Sequence, residues 1–183
     1  MKKKSLALLL AVVLVVGVAA GTTLAWLIDS TGSVVNTFTT SDVDIDLTET
    51  ENLDLQMVPG KTITKDPKVT VTANSEKCYV FVKIEKSANY DTYLNDYTLA
   101  DGWMTDASLP ANVVYRVVDK NTANQDFYIL KDNQVTVKTS VTRSDMLVAN
   151  ANKPTLTFTA YAVQHDHLNP ATVANAWALA SGM

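Results

Sequence analysis

Cysteine is nearly absent from this chain. One residue of 183, Cys78, carries a thiol, so an intramolecular disulfide is impossible. Small secreted domains of the animal type carry several bridges, and a secreted chain almost free of cysteine fits a bacterial exoprotein better. Histidine is almost as scarce, with only His165 and His167. Lys and Arg do not cluster beyond the N-terminus, and the formal net charge is −4. Nucleic acid needs a clustered basic face, so it is excluded as a partner. No H-E-x-x-H, G-x-S-x-G, P-loop or dinucleotide fingerprint occurs. No L-P-x-T-G-like sorting signal follows the domain. No catalytic residue, cofactor or metal is therefore expected, and the chain is not expected to be an enzyme.

The N-terminus has the layout of an export signal. Lys2, Lys3 and Lys4 precede an unbroken apolar run, Leu6–Ala20, and small residues follow. Cleavage is expected after Ala25, between Ala25 and Trp26, with Ala20 as the alternative point. The apolar character continues through Trp26, Leu27 and Ile28, so an uncleaved anchor also stands open. Either way the lysines keep the N-terminus inside and the bulk of the chain outside. Residues 1–25 are assigned as signal peptide, and residues 26–40 as an extended, Ser/Thr/Gly/Asn-rich segment whose apolar points are Val34, Val35 and Phe38. Residues 41–183 form the domain, long enough to bury a sizeable core. Loss of the three lysines makes the mature protein more acidic.

From there the pattern is strands and polar turns, with few long runs of helix formers. Val43, Ile45 and Leu47 alternate with Asp42, Asp44 and Asp46, a strand with one buried face. Pro59-Gly60 is a turn. Val69 and Val71 share a face in Lys68–Ala73. Cys78–Lys86 is partly apolar on both faces, with Cys78, Val80, Val82 and Ile84 on one and Tyr79, Phe81, Lys83 and Glu85 on the other, so it is expected at the centre of a sheet. Val113–Val118 is a further strand. Asp126–Leu130 and Gln134–Val141 flank Lys131-Asp132-Asn133 and predict a hairpin. Arg143–Ala151 reads as a connector that permits a helical turn around Met146 and Leu147. Thr155–Gln164 is the last long strand. Asn169 is placed as the cap of a short C-terminal helix, with Pro170 at its first position and Val173, Trp177 and Leu179 as its apolar stripe. About eight short strands between turns predict an all-β fold: an antiparallel β-sandwich or jelly roll with a short C-terminal helix.

Four groups of residues admit a functional reading beside a structural one. Cys78, at the head of an apolar strand, is a small buried hydrophobe or a reactive thiol. Asp42, Asp44 and Asp46 are a solvated acidic face or a calcium ladder; a flat strand fans carboxylates out rather than wrapping them around an ion. Tyr90, Tyr93 and Tyr97, with Leu94 at helical spacing and Trp103 nearby, cover a core edge or stack on carbohydrate. His165-Asp166-His167 can hold zinc, but falls at a strand end where polar residues belong anyway.

Several stretches, taken in order, resemble one family. Gly21-Thr22-Thr23-Leu24-Ala25-Trp26 followed by Asp29 looks like its processing region, and Asn36-Thr37-Phe38-Thr39 with Val43-Asp44-Ile45-Asp46-Leu47-Thr48-Glu49 like its first mature strand. Val58-Pro59-Gly60, Lys65-Asp66-Pro67 and Val69 look like its turn and second strand. Tyr79-Val80-Phe81-Val82-Lys83-Ile84 and Phe158-Thr159-Ala160-Tyr161-Ala162-Val163-Gln164, then Ala176-Trp177-Ala178, look like its central strand and its ending. The chain thereby resembles the TasA/camelysin family of exported Gram-positive proteins with a dedicated type of signal peptide. The resemblance implies a secreted jelly-roll subunit of a cell-surface or biofilm-matrix fibre, self-associating or joining other matrix subunits by N-terminal strand exchange. Val34, Val35 and Phe38 would be the docking side chains. A signal peptidase is the implied partner during export, and membrane contact ends with cleavage. The chain is shorter than TasA, and the protease activity described for camelysin finds no zinc motif here. The alternatives are a monomeric surface module binding a glycan or protein through Tyr90–Trp103, and a metalloprotease using His165, Asp166 and His167.

Overall fold

The computed structural model describes residues 42–50 and 56–182. The leader, the junction at Ala25 and Trp26, and the segment carrying Val34, Val35 and Phe38 lie outside the described residues.

The strongest β pattern in the sequence, Cys78–Lys86 (β4), is the one strand of its sheet with partners on both sides. It pairs antiparallel with Val113–Val118 (β5) and with Leu156–Gln164 (β8), in the order β5-β4-β8. A second three-stranded antiparallel sheet holds Ile45–Thr48 (β1), Lys68–Val71 (β3) and Gln125–Tyr128 (β6), in the order β1-β3-β6. Thr62–Thr64 (β2) and Gln134–Thr136 (β7) form an antiparallel ribbon. Both ribbon strands lead directly into or out of the second sheet, β2 into β3 and β7 out of β6. Among the described residues three α-helices, Tyr90–Tyr93 (α1), Arg143–Ala151 (α2) and Val173–Ala180 (α3), and a 3-10 turn at Lys131–Asn133 complete the order.

Burial follows the two faces of β4. Cys78, Val80, Val82 and Ile84 are 0–2% exposed and join Val69 and Val71 of β3 and Ile63 and Val135 of the ribbon in one cluster. This core lies between the two layers of strands. Tyr79 and Phe81 face the other way and pack with Val113, Val163, Ala176 and Ala180. Helix α3 covers that second face. Trp177 reaches Phe81 at 5.4 Å between ring centroids and meets Tyr161 edge-on at 5.7 Å. The fold is therefore all-β and antiparallel with a short C-terminal helix, as the alternation predicts.

One edge between the layers is closed by a cation. Arg116, on β5, lays its guanidinium 4.1 Å from the Phe127 ring centroid and 5.4 Å from that of Trp103. The indole Nε1 donates to the Tyr128 carbonyl at 2.8 Å. Gly102 turns with φ +87, and a Cβ there would run into the Arg116 guanidinium. The left-handed backbone favours glycine, and a Cβ would also push the Arg116 guanidinium from its place.

Several expectations are corrected. The two strands around Lys131–Asn133 are not a hairpin. Turn chemistry is present, with Asp132 and Asn133 at φ 53 and 54, but β6 pairs with β3 and β7 with β2. Arg143–Ala151 is a full helix, started by a reciprocal cap in which the Thr142 side chain accepts from Asp145 N–H and the Asp145 carboxylate accepts from Thr142 N–H. The C-terminal helix begins after Thr172, whose hydroxyl accepts from Asn175 N–H, not at Asn169. Leu47 and Leu179 are exposed, at 37% and 44%; the inner face of α3 is formed by Ala176 and Ala180. Small side chains let that helix sit close to the sheet.

Replacing Phe81 by Ala should cost about 3–5 kcal/mol, through a cavity in the cluster under α3. Leu179→Ala should stay within about 0.5 kcal/mol, as for other exposed positions. Gly102→Ala should lose more than about 1 kcal/mol by backbone strain and collision with Arg116. Denaturant unfolding of the three variants checks the ranking.

Candidate functional site: an apolar groove between two strands

On the side of the layers away from Arg116, a groove of about 960 Å³ opens between β2 and β8. Ile63 and Val135 from the ribbon, Leu94 after α1, Met146 from α2 and Leu156 from β8 line it, with Tyr90 among them. Five separated segments converge there. Ile63 is the inward residue of a strand with alternating burial. Helix α2 starts at its Thr142/Asp145 cap and turns half-buried Met146 and buried Ala149 inward. Its other face leaves Leu147 and Val148 at 69% and 60% exposure, beside the groove.

The strands bordering the groove are each paired on one side only among the described residues. The Ser87 N–H donates to the Thr155 carbonyl and the His165 N–H to the Lys77 carbonyl. With the continuous register between them, the odd-numbered residues of β8 bond to β4. The main-chain groups of Leu156, Phe158, Ala160 and Ala162 therefore face away from β4. The same reasoning places those of Thr62 and Thr64 away from β7, because Lys65 and Val137 make the flanking ribbon bonds. Neither set has a main-chain partner among the described residues.

The rim is basic in an acidic protein. Lys65 bonds Glu49 at 2.7 Å and lies 5.6 Å from the Phe158 ring centroid. Arg143 and Lys153 line the groove with no ion-pair partner among the described residues.

Tyr90, Tyr93 and Trp103 are 0%, 4% and 8% exposed, so their ring faces are not open to a sugar; Tyr97 is half-buried under Lys86. The aromatic row covers a core edge, the first of the two readings its spacing allows, and Tyr93 and Trp103 are packed in the core. Asp42, Asp44 and Asp46 are exposed along their strand. Asp44 accepts from the Thr72 hydroxyl, and its main chain is tied to buried Ser75. His165 stacks on Tyr79 at 5.4 Å and contacts Asp166 at 2.9 Å, whereas His167 is exposed. Among the described residues, no group of three or more His, Cys, Asp or Glu side chains is placed to hold a metal ion. Cys78 is fully buried, and burial pushes its thiol up to about 11.

Against protein-family models, curated proteins and solved structures, the chain gives no match.

Cys78 and Tyr90 both bind their protons more tightly in the folded state, Tyr90 being pushed up to about 12 by burial. The unfolded chain ionises first as pH rises. Stability should therefore hold below pH 9 and fall between pH 9 and 12. Below pH 9 a thiol reagent should label Cys78 only after denaturant is added, because the reactive form is the thiolate and it is both scarce and covered. Unfolding curves across that pH range and labelling with and without denaturant measure both effects.

Proposed function

We propose that this protein is an exported structural subunit that assembles with copies of itself into an extracellular, cell-surface or matrix fibre. The extended segment after the leader, Trp26–Thr40, leaves its own subunit and adds to a neighbour. It enters the groove between β2 and β8, where its main chain meets a strand side that has no partner among the described residues and Val34, Val35 and Phe38 take up apolar contacts. This is β-augmentation. Because donor and acceptor are different surfaces of one chain, the contact is head-to-tail and propagates as a filament rather than closing as a dimer.

The observation that carries this reading is the groove itself. It is apolar, it is bordered by two strands each paired on one side among the described residues, and its size suits an extended peptide. The N-terminal pattern of a leader followed by a polar segment with three apolar points supplies a matching donor, and the TasA/camelysin resemblance leads to the same assembly. A jelly-roll topology belongs to this reading.

Electron microscopy of the secreted protein beside a variant lacking Trp26–Thr40 tests it. Filaments are expected from the full mature chain and none from the shortened one. Filaments of equal number and length from both would remove the mechanism.

A further inference from the structure

Tyr90 stands apart from the other groove residues. It is fully buried, and its hydroxyl is the one buried side-chain polar atom without a hydrogen-bond partner among the described residues. Buried hydroxyls are nearly always satisfied, because leaving one unpaired costs free energy that a phenyl ring of the same shape would not. The nearest cation does not serve it. Lys86 lies 5.3 Å from the Tyr90 ring centroid, over the ring, and its ammonium bonds Asp96 at 2.8 Å and Asp91 at 3.0 Å. The groove wall mixes apolar Leu94, Ile63, Met146 and Leu156 with Gln56, Thr155 and Thr157, and none of these side chains is a hydrogen-bond partner of the Tyr90 hydroxyl. A phenylalanine would fill this place equally well for packing alone.

We infer that Tyr90 is the polar anchor of the groove, its hydroxyl donating a hydrogen bond to a main-chain carbonyl of the docked Trp26–Thr40 segment of a second copy. This rests on the strand-addition reading above. An extended main chain carries a carbonyl at every residue, so it offers an acceptor wherever it crosses the ring. The charge pattern selects the same occupant. Arg143 and Lys153 on the rim have no ion-pair partner among the described residues, and Asp29 is the only charged side chain in Trp26–Thr40, beside the α-ammonium that cleavage leaves on Trp26. A polar segment with three apolar points and one side-chain carboxylate can set its apolar residues on the apolar floor and Asp29 at the basic rim. Met146, a flexible side chain in the same wall, can shift to let the carbonyl reach the hydroxyl.

Tyr90 thus acts with opposite sign on the free and assembled protein. Tyr90→Phe removes an unsatisfied group from the free subunit and a hydrogen bond from the filament. The test uses the full mature chain, wild type and Tyr90→Phe, with two readouts: thermal unfolding of freshly prepared unassembled protein, and the concentration at which filaments sediment. The variant is expected to melt at the wild-type temperature or above, and to need about tenfold more protein to assemble. A variant that assembles at the wild-type concentration overturns the anchor. So does a variant that melts lower, because the hydroxyl then has its partner already in the free subunit. Wild-type protein that never assembles overturns the fibre reading and the anchor together, which separates that failure from a failure at Tyr90 alone.

Discussion

Strand β4 is buried on both faces, and both hydrophobic clusters are attached to it. Val80 and Val82 fix the core between the strand layers; Tyr79 and Phe81 fix the cluster under α3. A fully buried side chain of this size contributes about 1.5–3 kcal/mol relative to exposure. Seven consecutive inward and outward residues, Cys78 to Ile84 with only Lys83 half-exposed, therefore tie β4 to both clusters. The placement of β4 also dictates what is left over. With β5 on one side of β4 and β8 on the other, β8 has no second strand partner among the described residues, and its outer side borders the groove.

The two open sides of the layered fold are treated differently. On the β5 side, Arg116, Trp103 and Phe127 stack into a plug, with Gly102 giving up its side chain to make room. Burial lowers the tendency of that guanidinium to hold its proton, and two aromatic faces compensate in place of a counter-ion. On the β8 side no comparable plug is present among the described residues; apolar walls and a basic rim remain. Long unpaired edges invite association with other chains. A protein that must stay monomeric charges or covers such an edge, and a protein built to polymerise can use it.

The period-two runs made most of the sheet legible from sequence. Cys78–Lys86, Val113–Val118 and Leu156–Gln164 alternate or are apolar on both faces, and each is a strand within a residue or two of its expected limits. Pairing was less legible. Lys131-Asp132-Asn133 has the residues of a tight turn, yet left-handed backbone at Asp132 and Asn133 sends the chain from one sheet to the ribbon. Local turn chemistry does not say which strand lies alongside. The helix Arg143–Ala151 was underestimated because its Thr142/Asp145 cap sits before a run with little amphipathic contrast. The groove was not legible at all, since Ile63, Leu94, Met146 and Leu156 come from distant segments and each looks like ordinary core. Tyr90 was visible only as one of a row of aromatics, and its unpaired hydroxyl is a property of packing.

The central claim is that the segment after the leader of one copy lies in the groove of another. Disulfide trapping between two singly substituted proteins measures this most directly. Val35→Cys in one and Thr157→Cys in the other are mixed and oxidised, with Asp101→Cys on a distant loop as control; native Cys78 is buried and silent. A cross-link formed between Val35→Cys and Thr157→Cys chains, and absent with the control, is the predicted result, since a disulfide requires Cα atoms within about 7 Å. Equal cross-linking to both positions, or none at the groove in protein that has assembled, contradicts the account.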